Sequence, residues 1–450
     1  MMRTAPAALF LCLLTACARD SARPAFPSGP ALQGPIRFEF ALFYPDAPRE
    51  EPQTALDALL ASDFSGITRA DKLPDKGDQR LISTTWVTDG SYAAPDVEGL
   101  SYFGRGLSDA QAAALQQPKA VLLLDFGHGK EHVWTGARDA LRLTSALARR
   151  TGGIIWDNES HEMFTPDVWD EKRIATWTEA DGPTDLRNQF TIHVYRKEED
   201  GLHREVSLGL RKFGLPDFVV EDVSGSVTSN MVGVVNVLAQ LLAEGAQVGG
   251  DGEIDIDVQG LRIAEMRKEK VASYKSNATG KARLRLVLGV PQEGDPENRL
   301  AEIVFDRYSG PDTQARQEVM LSTLFGADED TLTNTTHGEE VLEVSRKARE
   351  TLLATLKPAF QKGLPPGETL LVKAPFKTPA GGNEWMWVEV LEWKTGTIQG
   401  TLRNDPVEVK ALKAGQRVEV QEKDLFDYIH YLADGSSEGN ETAKLLSAGG

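Results

Sequence analysis

At 450 residues and 41% hydrophobic composition, the chain is long enough for two or three domains with buried cores. A formal net charge of −18, spread along the sequence, excludes the basic stripe that nucleic acid requires and argues against electrostatic docking on anionic lipid. The two cysteines, Cys12 and Cys17, both lie at the N-terminus, so the folded part is not expected to rely on a disulfide.

Arg3 followed by the apolar run Ala7 to Ala16 reads as a secretory signal peptide over residues 1–16, well short of the ~20 residues that a spanning helix needs. Leu14-Thr15-Ala16-Cys17 resembles the bacterial lipobox, in which the cysteine is lipidated before cleavage. That resemblance implies a lipoprotein with palmitate carried at Cys17, anchored in the bacterial cell envelope. Ala18 stands where an Asp would imply retention at the inner membrane, which favours the outer membrane, facing the periplasm or the cell surface. Residues 17–35, rich in Pro, Ala, Gly and Ser, read as the lipidated Cys and a flexible tether.

From Ile36 the run RFEFALFY reads as a strand and PQTALDALLASDF as a helix. KAVLLLDFG, ARDALRLTSALARRTGG and IIWDNE then spell strand, helix and strand, a β-α-β unit closed by Gly152 and Gly153. FTIHVYRKEEDGLHREVSLGL reads as a hairpin turning at Asp200-Gly201, and SNMVGVVNVLAQLLAEGA as an apolar helix. These elements make an α+β domain over 36–250. A second α+β region over 251–365 ends in a long polar helix from Glu339 to Lys362 and the breaker LPPGE. Short strands and turns follow over 366–435, and residues 436–450 read as a disordered tail.

The stretch EWMWVEVLEWKTGTIQGTLRNDPVEVKALKAGQRVEVQEKDLFDY carries a pattern: an aromatic strand, a Gly before a strand, Asn-x-Pro and Lys-x-Gly turns, and an Asp-aromatic close. Over residues 370–431 it resembles the DUF2314 family, also known as YegJ-like proteins, through Glu384, Trp385, Trp387, Gly400, Asn404, Pro406, Gly415, Val418, Asp424, Asp427 and Tyr428. Tyr428 stands where the family commonly has Trp. LGLRKFGLPDFVVED also resembles a segment that precedes this domain in longer members. The resemblance implies an architecture and no reaction. The fold class expected is α+β: a larger mixed α/β N-terminal region with the β-α-β unit, and a small C-terminal antiparallel β domain, barrel-like because its aromatic residues must fill a scarce core. Trp385 and Trp387 share one strand face and read as core, or as one edge of a ligand groove with Asn404 in the adjoining turn.

Asp125, His128 and His132 form the best chemical cluster. They follow a buried strand at its C-terminal end, and a two-His-one-carboxylate set suits a metal-dependent hydrolase, with His161 completing it if the two strands of the β-α-β unit are neighbours. Gly127 and Gly129 favour instead an irregular polar loop. The ladder Asp251, Glu253, Asp255, Asp257 lacks the Gly and closing Glu of a calcium loop and reads as the solvated face of a strand. Asp157, Glu159, Asp167 and Asp170 read as surface carboxylates. GxSxG, P-loop, GxGxxG and CxxC motifs are absent, and no cofactor is called for. The sequence therefore favours a membrane-anchored binding module with an envelope protein partner over an enzyme.

Overall fold

The computed structural model describes residues 23–75, 77–177, 181–197, 201–275, 277–310, 312–326, 339–379, 382–442 and 444. The signal peptide, Cys17 and Asp200 of the hairpin turn lie outside the described residues. The architecture is α+β, built around three larger sheets.

In the N-terminal seven-stranded sheet the strand Ile36–Tyr44 runs antiparallel between Ala120–His128 and Ile154–Asp157. The helix Val133–Thr151 carries the chain from one flanking strand to the other and ends where Gly152 takes a left-handed conformation that only glycine adopts freely. The β-α-β unit is thus present but split, because the chain's earliest long strand occupies the centre. Strand alternation gives the sheet two buried faces. Leu122, Leu124 and Phe126 join Phe38, Phe40 and Leu42 in the main core, while Val121 joins Ala41 and Phe43 in a smaller one on the other side.

The central six-stranded sheet runs in the order Glu253–Asp257, Lys281–Leu288, Leu300–Val304, Asp217–Val223, His203–Leu208, Thr191–Arg196. Asp217–Val223 pairs in parallel with Leu300–Val304, so a domain boundary at 250 would cut this sheet in two; the main core likewise runs on from the N-terminal sheet through both segments. The helix Thr228–Ala243 packs into that core. Residues Gly225–Ala243 are the one described helix long and apolar enough to cross a membrane, and most of it is buried within the protein. The acidic ladder lies on this sheet as a strand with Ile254 and Ile256 buried, while Asp255 pairs with Arg283 at 2.6 Å and Asp257 with Lys281 at 3.1 Å.

The expected tether is corrected from residue 23 onward. Phe26 is buried, its amide donates to Leu286 O at 2.9 Å, Gly29–Pro30 pairs with Gln247–Val248, and Gln33 N donates to Gly214 O at 2.8 Å. One large apolar side chain in an otherwise tether-like composition is enough to strap this segment onto the central sheet.

The C-terminal sheet has six antiparallel strands in the order Arg417–Gln421, Thr397–Leu402, Asn383–Lys394, Thr369–Lys377, Asp427–Tyr431, Ser437–Gly439. It is open, not a barrel. A helical run over 339–362 supplies the cover that closure would have given, burying Ala348, Leu352 and Leu356 against Leu370, Val372, Met386 and Val388. The run contains a π turn at Leu352–Leu356, just where Pro358 lacks the N–H that would bond four residues back. The expected tail is corrected as far as Thr442: Ser437–Gly439 adds the last strand, and Asp427 accepts from the amide of Thr442 at 2.8 Å and from its hydroxyl at 2.6 Å, while residues 443 and 445–450 lie outside the described residues.

Candidate functional site

The Asp125, His128 and His132 set does not converge. The strand Ala120–His128 runs on through Gly127, so residues 125 and 128, an odd number apart, project to opposite faces. His128 faces the main core, its ring 5.9 Å from that of Phe38, with Nδ1 against Gly129 O at 3.1 Å and burial lowering its pKa to about 4. Asp125 faces the other side, opposite Glu39 in register, where Tyr92 donates to Glu39 at 2.7 Å; burial raises both carboxyls. His161 stacks on Trp156 at 6.1 Å on that same far side. The two strands of the β-α-β unit are not neighbours, since Ile36–Tyr44 lies between them. Among the described residues no group of three or more His, Cys, Asp or Glu side chains is placed to hold a metal ion.

A groove opens in the C-terminal domain. Along the helix from Glu339, Val341, Ser345, Ala348 and Leu352 form the buried stripe, and the adjacent stripe, Leu342, Arg346, Arg349 and Leu353, follows the same spacing. That second stripe faces Trp385, Leu425 and Phe426 across a groove of about 630 Å³. The Trp385 and Phe426 rings lie 4.5 Å apart at its wall. Hydrogen bonds hold the two sides together: Ser345 Oγ donates to Phe426 O at 2.6 Å and Arg349 to Lys423 O at 2.9 Å. Arg346 forks onto Glu343 and Glu350, while Lys423 and Asp424 stand exposed at the rim. The result is an apolar floor with charged edges, the composition of a recognition surface.

Trp387, two residues along, is buried with Leu371 and Ile429, and Lys373 lies 5.3 Å over its ring. Asn404 uses its side-chain oxygen to accept from Trp387 N at 2.7 Å, which fixes the turn. Of the three ligand-contact candidates, Trp385 lines the groove, Trp387 is packed in the sheet and Asn404 serves the backbone.

Residues 339–449 match the model of a family described as an uncharacterized protein conserved in bacteria, DUF2314. The chain carries a DUF2314 domain. No curated protein and no solved structure matches the chain. The match begins at the helix, so both walls of the groove belong to the DUF2314 domain.

The motif residues of the DUF2314 domain have structural work. The Glu384 carboxylate accepts from the amides of Val407, Glu408 and Val409 at 2.6 to 3.1 Å, pinning the loop after Pro406. Asp405 accepts from Ala414 N, and Asp427 holds the last strand's outgoing chain. A Cβ at Gly400 would lie 2.0 Å from Glu389 O, and one at Gly415 2.5 Å from the Cα of Ala315. These residues specify shape. The groove residues on the helix, Leu342, Arg346 and Arg349, carry no motif; their signal is the second stripe of the amphipathic repeat.

Proposed function

We propose that this chain is a lipid-anchored protein of the bacterial cell envelope whose DUF2314 domain is a binding module, its groove taking an apolar, aromatic-bearing segment of an envelope protein partner. The supporting observation is the groove itself: Leu342, which is 52% exposed, and the half-buried Trp385 face each other across a floor wide enough for more than one side chain. Large side chains left facing solvent in this way mark recognition sites more often than surface chance. The lipobox-like run ending at Cys17 supports the anchor.

A photo-crosslinking residue at Leu342 should give one discrete adduct in intact cells, and the same residue at Glu419, on the edge strand, should not. The captured protein, once purified, should bind the chain about tenfold or more weakly when Trp385 is replaced by Ala, the loss typical of a truncated aromatic anchor. Adducts of equal intensity at both positions, or unchanged affinity of Trp385→Ala, would refute the groove. The anchor is tested separately: Cys17→Ser should abolish labelling by radioactive palmitate, and equal labelling would refute it.

A further inference from the structure

A second cavity, of about 230 Å³, lies where the N-terminal strap and the start of strand Ile36–Tyr44 meet the loop Leu210–Gly214 and the entry to strand Leu300–Val304. Its lining carries three arginines, Arg37, Arg211 and Arg299, and no acidic residue, in a chain whose net charge is −18. We propose that this cavity binds a small oxyanion, a molecule bearing a phosphate or carboxylate group, between Arg211 and Arg299.

The three guanidinium groups are held in different ways. Arg299 Nη2 donates to Ala31 O at 2.9 Å and to Gly214 O at 2.7 Å, which fixes the plane of the group by backbone carbonyls and leaves its charge uncancelled by a hydrogen-bonded carboxylate. Burial lowers its pKa, and the charge of Asp217 opposes that fall. Arg37 is tied to the carbonyl of Leu73 and to Asp75, both at 3.4 Å, and forms the edge of the site. Arg211 is half-buried; its carbonyl accepts from Gly214 N at 2.9 Å, while among the described residues its guanidinium makes no hydrogen bond and no ion pair. The acid that senses it is Glu159, whose carboxyl burial pushes up to about 7 against the pull of Arg211. A carboxyl so raised is protonated about half the time at neutral pH and only partly offsets the arginine.

The cavity wall is closely packed. Gly214 has φ of +63°, and a Cβ there would lie 2.3 Å from Gln33 O, so the strap and the loop meet backbone to backbone. Forked N–H donors on fixed supports in a polar recess are the usual recognition chemistry for phosphate and carboxylate, and the bound charge would also relieve repulsion among like charges.

Inorganic phosphate and citrate are the probes, titrated into the purified chain by calorimetry at constant low ionic strength. At least one should bind saturably with about one equivalent. Arg211→Gln should weaken it about tenfold or more, the scale of a lost charge-assisted hydrogen bond. Because the Arg211 side chain makes no hydrogen bond and acts only through the charge it presents to Glu159, this variant should still unfold in urea as a single cooperative transition, and anion binding is compared at a temperature and pH where both proteins are fully folded. Lys119→Gln, an exposed lysine beside the far end of strand Ile36–Tyr44, removes the same charge and should bind as wild type. Which probe binds separates phosphate from carboxylate chemistry. Failure of both to saturate in the millimolar range, or equal weakening in Arg211→Gln and Lys119→Gln, would overturn the site. The groove and its partner are unaffected by either result.

Discussion

Asp157 closes the strand Ile154–Asp157. It stands in a run of carboxylates, yet it is fully buried, 2.5 Å from the equally buried Lys212 and 3.3 Å from Arg173. Burial alone would raise its pKa, but the charges of Lys212 and Arg173 outweigh it and hold the carboxyl below its usual range. Lys212→Met removes the nearer of its two cations and leaves Asp157 to Arg173, which also pairs with Glu162, so it should cost about 3 kcal/mol in urea unfolding, and adding Asp157→Asn should recover part of the loss. Asn keeps an oxygen for the amides of Glu159 and Ser160, which now bond Asp157 at 3.1 and 3.3 Å. A single variant as stable as wild type would show that the pair contributes nothing. Glu159 makes a prediction in pH. Its folded pKa, about 7, lies above its ordinary value, so the folded state binds the extra proton, and stability from this group falls as pH rises from about 4.5 to 7. Glu159→Gln should therefore gain on wild type across that window, by on the order of 3 kcal/mol. A difference between the two that does not change with pH would sink the assignment. Sequence could not reveal either environment, because both depend on burial in the folded core and on cations, Lys212 and Arg211, that arrive from far along the chain. The separation of Asp125 from His128 was within its reach, since strand parity decides it once the strand is extended past Gly127.

Among the elements, those with a strong period were the legible ones: the strand Ile36–Tyr44, the helix Val133–Thr151 and the helical run from Glu339 all appear where their spacing puts them. Composition misled where one residue outweighs its neighbours. The segment from Arg23 to Pro35 looks like linker, and Phe26 makes it part of the core. Phe26→Ala should remove about 3–5 kcal/mol of packing and free the strap before the sheet beneath it unfolds. Hydrogen exchange would register this as lost protection at the Phe26 and Gln33 amides, with the strand Asp217–Val223 unchanged. Protection at those two amides equal to wild type would mean that the strap is held by its backbone pairing alone. The barrel expectation failed for a related reason. An aromatic-rich sheet of this size needs its apolar face covered, and the sequence does not say whether closure or a helix provides the cover.

At the scale of the whole molecule, the DUF2314 domain is fastened to the central sheet through a few polar contacts. Glu389, on the long strand Asn383–Lys394, accepts from the hydroxyls of Ser224 and Ser226 and from the amide of Ser226 at 3.2 Å, at the entry to the helix Thr228–Ala243. Arg403 donates to Glu318 at 3.0 Å, and Gly415 lies against Ala315. Glu389 is buried and sits in the centre of this junction, so Glu389→Ala leaves three donors without their carboxylate while removing little of the domain's own apolar core. Hydrogen bonds to a charged acceptor contribute roughly 1.5–3 kcal/mol each when the donors are buried, and part of that will be recovered as water enters. The expected outcome is uncoupling. Amides of Thr369–Lys377 and Asp427–Tyr431 should exchange by an opening about 2–4 kcal/mol cheaper than in wild type, while those of Asp217–Val223 and Leu300–Val304 keep their protection. Equal loss in both sets would mean that the two sheets unfold as one unit and that the junction carries the stability of the whole. No loss in either would mean that Arg403 and the Gly415 contact hold the domain without Glu389. Only the first pattern, in which the C-terminal strands change alone, fits a DUF2314 domain that folds on its own core and is held in place by charge.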